Sequence, residues 1–175
     1  MQEKTDSAKG NLKGDLTKGD LAKENLSKGD LAKSYFKEGY NCTQSVTLAF
    51  SEEIGIEKSR LLRMASSFGG GMGRMREVCG AVSGMFLAAG ALYGYDDPKD
   101  IQAKKEHYAR IQELAAKFRD QTGSIVCREL LGLEGGDSSP EPSERTSDYY
   151  KRRPCPEMIA LAAEIMEEYI KEHSN

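Results

Sequence analysis

The chain has 175 residues, of which 30% are charged and 38% are hydrophobic, and its formal net charge is −3. This length allows one domain with a substantial core. The nearly balanced charge argues against a general nucleic-acid-binding protein, and the 7% aromatic content without tryptophan argues against a base-stacking surface. No stretch reaches the roughly 18 uninterrupted apolar residues of a membrane span, and the polar first residues do not resemble a secretory signal. We therefore expect a cytoplasmic protein in a reducing compartment, where cysteines stay free, bind metal or act catalytically.

Residues 1–30 have a repeating sequence that sets them apart from the rest of the chain. Asn-Leu or Asp-Leu pairs recur about every five residues, with lysines between them. Because five residues advance an α-helix by about 500°, the leucines would scatter around the axis instead of forming an apolar stripe. The pattern is typical of a flexible tail with both signs of charge, and a repeat turn or partner-binding arm is the alternative. We expect residues 31–175 to form a separate helical domain that holds all four cysteines.

The first predicted helices lie between residues 31 and 66. Asp30 is a good N-cap for a helix that Gly39 ends. Asn41 can cap a second helix, which should end near Gly55. Apolar side chains at residues 61–64 indicate a third helix.

A glycine-rich stretch follows these helices. Residues 68–73, Phe-Gly-Gly-Gly-Met-Gly, predict a loop that cannot be a regular element. Residues 78–93 are apolar on most sides and rich in glycine and alanine, as is typical of a helix at the centre of a bundle. Charged residues lie close on both sides of this segment, so we expect a buried core helix and not a membrane span.

The C-terminal half contains further helix signals. An Asp-Pro pair at residues 97–98 predicts the start of a helix that Gly123 ends, and Ser124 can cap a short helix after it. Residues 134–148 read as a polar loop, and the last helix should begin near Pro154. No convincing strand alternation occurs. We therefore predict an all-α fold, a compact bundle of about five or six helices with a glycine-rich central helix.

The cysteines are the residues whose chemistry stands out, and they are Cys42, Cys79, Cys127 and Cys155. No Cys-x-x-Cys occurs, so neither a thioredoxin-type dithiol nor a zinc ribbon is indicated, and the absence of Cys-x-x-Cys-His excludes covalently attached haem. Each cysteine lies near a predicted helix start, where unpaired N–H groups and the positive end of the helix dipole favour thiolate over thiol. Four such thiols would form one site if the helix ends meet. The alternative is that each is a small buried hydrophobic residue.

Residues beside Cys79 indicate a place for an anionic group. Glycines before and after this cysteine would let backbone N–H groups approach cluster sulfides or a phosphate, and these glycines are Gly69, Gly70, Gly71 and Gly80. No Gly-Lys-Ser/Thr follows, so the loop is not a Walker loop. Arg74 and Arg76 would offset the negative charge of a thiolate site. A plain tight connection and solvated arginines are the alternatives.

Three motifs and two lone cysteines occur in an order that resembles a known family. The motifs are Gly-Tyr-Asn-Cys-Thr-Gln-Ser-Val at 39–46, Phe-Gly-Gly-Gly-Met-Gly at 68–73 and Cys-Gly-Ala-Val-Ser-Gly at 79–84, and Cys127 and Cys155 follow them. Over about residues 31–170 the chain resembles the C-GCAxxG-C-C family of redox-active proteins, whose central motif is Cys-Gly-Ala-x-x-Gly. It is also similar to the non-haem part of split-Soret cytochromes, which carry an iron–sulfur centre and dimerise.

The resemblance implies a small helical protein of bacteria or archaea in which the four cysteines form a redox or cluster site. The leading expectation is an iron–sulfur cluster for electron transfer, with one ligand each from Cys42, Cys79, Cys127 and Cys155. The alternatives are a metal-free thiol/disulfide oxidoreductase, a structural zinc site of the same cysteines, and a helical interaction module. A homodimer is compatible with the resemblance. The electron-transfer partner and the substrate are not implied by it.

Overall fold

The structure is a computed structural model that describes residues 25–134 and 139–174. Residues 1–24 of the predicted N-terminal tail lie outside the described residues, so the separation of this tail from the helical domain stays a prediction. The described part of the chain is all-α, as predicted, and its one β contact is an isolated antiparallel bridge between Val78 and Val126.

Six helices of eight residues or more form the body of the described chain. They are α1 (Lys28–Lys37), α2 (Cys42–Ala49), α3 (Lys58–Ser66), α4 (Gly80–Tyr93), α5 (Ile101–Thr122) and α6 (Cys155–His173). Shorter helical segments are Ser51–Ile54, Gly69–Met72, Cys127–Leu130 and Ser147–Arg152. The number of longer helices agrees with the predicted bundle.

The first two helices begin and end at local capping residues. The Ser27 hydroxyl accepts a hydrogen bond from the Asp30 N–H at 3.1 Å, so the N-cap of α1 lies three residues before the predicted cap, and Asp30 lies in the first turn. Gly39 has φ +109° and ends α1 as predicted. Asn41 and Gln44 form a reciprocal capping box at the start of α2, which confirms the second predicted helix start.

Helix α4 is the predicted central helix. It begins two residues later than predicted, because Val78 pairs with Val126 and Cys79 is the N-cap. It packs against α2, α5 and α6, and its first six residues are all buried. A Cβ atom on Gly84 would lie 2.7 Å from the Val46 Cβ, so the glycine lets α2 approach the α4 backbone closely.

Helix α5 does not begin at the predicted Asp-Pro pair. Its N-cap is Asp100, whose side chain accepts a hydrogen bond from the Ala103 N–H at 2.8 Å. Asp97 instead closes a turn, since its carboxylate accepts from the Lys99 N–H and its carbonyl from the Asp100 N–H. Gly123, with φ +82°, ends α5 as predicted. In the described residues, no helix combines the length and apolar character needed to cross a bilayer.

The C-terminal elements differ from the prediction in two places. Val126, and not Ser124, is the N-cap of the turn Cys127–Leu130, while the Ser124 hydroxyl accepts from the Val126 N–H. The predicted polar loop, residues 134–148, is interrupted at its end by the helix Ser147–Arg152, whose N-cap is Thr146. Residues 135–138 of that loop lie outside the described residues. The last helix begins at Cys155 after Pro154, as predicted.

Candidate redox site

All four cysteines line one cavity of about 340 Å³. Cys42 and Cys155 are partly exposed to solvent, whereas Cys79 and Cys127 are buried. The walls come from the starts of α2, α4 and α6, from the glycine-rich turn and from the segment 140–154. The structure therefore brings together thiols that are far apart along the chain.

Each cysteine occupies the N-terminal end of a helical segment. Cys42 and Cys155 are the first residues of α2 and α6, Cys127 is the first residue of its turn, and Cys79 is the N-cap of α4. The helix-start placement inferred from the sequence is confirmed. At least three helix N-termini thus face the same cavity, and their partial positive charges add there.

A short antiparallel backbone pairing holds the two buried cysteines beside each other. The Cys79 N–H donates to the Ile125 carbonyl at 2.8 Å, and the Cys127 N–H donates to the Glu77 carbonyl at 2.6 Å. These hydrogen bonds flank the Val78–Val126 bridge. The loop before α4 and the loop after α5 are thereby fixed to each other at the cavity.

The four predicted glycines lie beside the cysteines, and their role toward an anionic group stays a prediction. Gly69, Gly70 and Gly80 line the cavity, whereas Gly71 lies behind Cys127. Gly71 has φ +76°, and a Cβ there would lie 2.6 Å from the Cys127 Cβ, so only glycine fits without a shift. The Cys127 thiol donates to the Gly70 carbonyl oxygen, with 3.6 Å between sulfur and oxygen.

The side chains of Cys42 and Cys155 interact, and the interaction shifts their pKa values in opposite directions. Hydrogen bonding with Cys42 lowers the pKa of Cys155 despite partial burial, and Arg153, Arg76 and Arg145 lower it further. The same hydrogen bond, followed by burial, raises the pKa of Cys42 well above its usual range. Cys155 is therefore the more acidic thiol of the pair, and Cys42 is the one that keeps its proton to higher pH.

The two buried cysteines, Cys79 and Cys127, both have raised pKa values. Burial raises the pKa of Cys79 to about 12, although the amides of Ala81 and Val82 oppose part of this effect. Those amides make no capping hydrogen bond of normal geometry to the sulfur. Burial also raises the pKa of Cys127, against the attraction of the Arg76 guanidinium, which hydrogen-bonds its sulfur. The expectation that every helix-start cysteine favours the thiolate is wrong for these two and for Cys42.

Four arginines line the cavity, and among its described lining residues there is no aspartate or glutamate. Arg74 and Arg76 were candidates from the sequence, and Arg76 is only 2% exposed. Sequence reasoning missed Arg145 and Arg153. Arg145 donates to the Phe36 and Tyr40 carbonyls at 2.6 and 2.8 Å, which ties its segment to the end of α1.

Tyr149 is a further residue that the sequence did not indicate. Its ring lies beneath the Arg153 guanidinium, with 4.9 Å from Cζ to the ring centroid. Burial, and then the negative charge of Cys155 and Cys42, raise the pKa of this phenol, so it stays protonated beside the thiols. It belongs to the helix Ser147–Arg152, which lies in the predicted loop.

The cysteines are not arranged as a compact site for a single metal ion. Across residues 25–134 and 139–174, no three His, Cys, Asp or Glu side chains are grouped closely enough to hold one. The zinc alternative stays a prediction.

A family model described as "Putative redox-active protein (C_GCAxxG_C_C)" matches residues 40–169, which include all four cysteines. The chain belongs to the C_GCAxxG_C_C family. The matched region begins at the end of α1 and reaches into α6, so the family's defining cysteines are the residues of the cavity. Neither the curated proteins nor the solved structures that were compared gave a match to the chain.

Proposed function

We propose that this family member transfers electrons by reversible thiol/disulfide exchange, with Cys155 as the attacking cysteine and Cys42 as the resolving cysteine. The observation that carries the proposal is that Cys42 and Cys155 line the same cavity and are its two partly exposed cysteines, whereas Cys79 and Cys127 are buried. A thiolate with a lowered pKa beside a thiol with a raised pKa is the arrangement that two-step exchange requires.

The reaction balances with a disulfide as the oxidant. The Cys155 thiolate attacks one sulfur of the substrate, a bond forms between them, the substrate S–S bond breaks, and the leaving thiolate takes a proton from solvent. Cys42 then loses its proton and attacks the Cys155 sulfur, which forms the Cys42–Cys155 disulfide and releases the second substrate thiol. Two electrons pass from the protein to the substrate, and a dithiol partner reverses the sequence.

The buried cysteines have a supporting place in this scheme. With its pKa at about 12, Cys79 stays a thiol near neutral pH and is a poor nucleophile. Cys127 holds the buried Arg76, whose positive charge also acts on Cys155. Cys79 and Cys127 thus contribute to the charge and shape of the cavity and not to the exchange reaction itself.

The proposal is tested by mapping the disulfide that forms in the folded protein. The reduced protein is treated with oxidised glutathione without oxygen, quenched with acid, alkylated and analysed by peptide mass spectrometry. We expect a Cys42–Cys155 disulfide and reduced Cys79 and Cys127. Exchange through another pair of cysteines, or none at all, would contradict the proposal.

A trapping variant separates the attacking cysteine from the resolving one. In Cys42→Ser the second step is blocked, so a mixed disulfide between glutathione and Cys155 should accumulate. In Cys155→Ser neither the mixed disulfide nor the internal one should form at a comparable rate. Accumulation of a mixed disulfide on Cys42 would reverse the assigned roles.

A second candidate, an iron–sulfur cluster for electron transfer, is favoured by the presence of all four thiols around one cavity. The donor set fits such a group, because four cysteines are its usual ligands and the cavity arginines would balance its negative charge. Cys42, Cys79, Cys127 and Cys155 would hold it, and when bound it would supply one-electron transfer.

Anaerobic purification distinguishes the two candidates. Visible absorption with stoichiometric iron and sulfide, lost on replacing any of the four cysteines by serine, would favour the cluster. Colourless protein that exchanges disulfides through Cys42 and Cys155 would favour the dithiol.

A further inference from the structure

The cavity is a region of positive charge on a protein whose formal net charge is −3. Its four arginines come from two segments, 74–76 and 145–153, that meet around the thiols. The starts of α2, α4 and α6 add the positive ends of three helix dipoles to the same region.

Three of the four arginines that line the cavity donate hydrogen bonds to other parts of the chain, and Arg74 donates to the Ser143 hydroxyl at 3.1 Å. Arg145 uses its donors on the carbonyls of Phe36 and Tyr40, and the Arg76 guanidinium contacts the Gly70 carbonyl and the Cys127 sulfur. Arg153 instead lies over the Tyr149 ring, with 4.9 Å from Cζ to the ring centroid. A cation–π contact of this kind restrains the guanidinium without using its N–H donors.

We infer that the cysteine cavity binds small molecules that carry an anionic group, with Arg153 as the residue that contacts that group beside Cys155. The volume of about 340 Å³ lies in the range of small-molecule pockets. Carboxylate, phosphate and sulfonate groups share the planar or tetrahedral oxygens that a guanidinium recognises. If the proposed thiol/disulfide exchange is the function, on which this extension rests, the substrate is a disulfide with carboxylate groups.

Two alkylating reagents of similar size test the anion preference directly. Iodoacetate is anionic and iodoacetamide is neutral, and both react with the same thiolate, so the ratio of their rate constants is independent of the pKa of Cys155. Each rate constant at Cys155 is measured by peptide mass spectrometry on the reduced full chain and divided by that of free cysteine. We expect the normalised ratio to favour iodoacetate by about tenfold at low salt, and to fall as salt screens the charges.

Matched variants assign the preference to Arg153. Arg153→Gln should lose most of the iodoacetate preference, and Arg153→Lys should keep part of it because the charge remains without the planar fork. Arg119→Gln removes one exposed arginine that does not line the cavity and should leave the ratio unchanged. Circular dichroism checks that each variant is folded.

Two disulfides of opposite charge test the extension to the substrate. Oxidised glutathione carries carboxylates, and cystamine is cationic, so the reduced protein should react faster with the former. Equal normalised alkylation ratios, an unchanged ratio in Arg153→Gln, or no reaction of Cys155 with either reagent would overturn the anion site. If the protein keeps the iodoacetate preference but reacts with neither disulfide, the anion site is supported and the proposed exchange reaction is contradicted.

Discussion

At the scale of single residues, the cysteines share a helix start but differ in what surrounds the sulfur. A helix N-terminus contributes about 0.3–1 kcal/mol toward a nearby negative charge. Removing an ionised group from water without a partner costs several kcal/mol. Burial therefore dominates at Cys79 and Cys127, where the pKa rises. At Cys155 the thiol donor of Cys42 and the arginines reverse the balance.

Removing the Cys42 donor should raise the pKa of Cys155. Hydrogen bonding to a thiolate favours the charged form, so the pKa of Cys155 should be higher in Cys42→Ala than in the wild type. Because the thiolate exists above the pKa, the Cys155 of this variant should react more slowly near neutral pH. The measurement is the rate of Cys155 alkylation by iodoacetamide as a function of pH.

The serine variant is the matched control for this prediction. Cys42→Ser keeps a hydroxyl donor at the same position, so the pKa of Cys155 should rise less than in Cys42→Ala. An identical midpoint in the wild type and both variants would mean that the arginines alone set the acidity of Cys155.

Local sequence was sufficient for some residues of the site and not for others. The cysteines could be found because their side-chain chemistry stands out wherever they occur, and Arg74 and Arg76 because they directly follow the glycine-rich stretch 68–73. Arg145 and Tyr149 belong to a polar segment without periodicity, and only its packing on α1 and over the cavity brings them to the thiols. For Arg153 a local signal existed, since a cation two residues before a cysteine favours its thiolate.

At the scale of helices, end signals were reliable where only one candidate residue was present. Gly39, Asn41 and Gly123 have no competitor nearby, and each ends or caps a helix as predicted. Where two cap residues lie three positions apart, the prediction is wrong: Asp100 and not Asp97 caps α5, and Ser27 and not Asp30 caps α1. Which of two neighbouring residues caps a helix depends on which helix start allows the helix to pack against its neighbours. That packing is not visible in the local sequence.

Helix α4 offers a comparison between two glycines of the same helix. A Cβ on Gly84 would lie 2.7 Å from the Val46 Cβ and 2.9 Å from the Thr43 carbonyl oxygen, whereas a Cβ on Gly90 has no other atom within 4 Å. Gly84 therefore allows α4 to pack closely against α2, the helix that begins at Cys42. Gly90 has no such role in packing.

We expect Gly84→Ala and Gly90→Ala to change stability in opposite directions. Gly84→Ala should lower the free energy of unfolding by about 1–3 kcal/mol, because α2 must move away from α4. Gly90→Ala should raise it by about 0.5–1 kcal/mol, because alanine loses less backbone entropy in a helix. Urea denaturation of the reduced proteins measures both. Equal effects would show that α2 and α4 tolerate a wider separation.

At the scale of the whole molecule, the site joins parts of the chain that are remote in sequence. Cys42 begins α2 near the start of the described residues, and Cys155 begins the last helix. Helices α1, α2 and α6 pack on one another, so the cavity exists only when both ends of the fold are in place. The redox state of the Cys42–Cys155 pair is therefore coupled to the stability of the complete bundle.

Oxidation of this pair should stabilise the folded protein. A disulfide that closes a loop of more than a hundred residues restricts the unfolded chain and contributes about 3–5 kcal/mol, which for a chain of this size raises Tm by on the order of 10 °C. Differential scanning calorimetry of the protein oxidised at Cys42 and Cys155, compared with the reduced protein, measures the difference. Cys42→Ser carried through the same oxidation should show no such rise. The free energy by which the disulfide stabilises the folded protein also favours the disulfide in the folded state over the unfolded one. A lower Tm on oxidation would therefore mean that the disulfide distorts the bundle and that the oxidised pair is a strong oxidant.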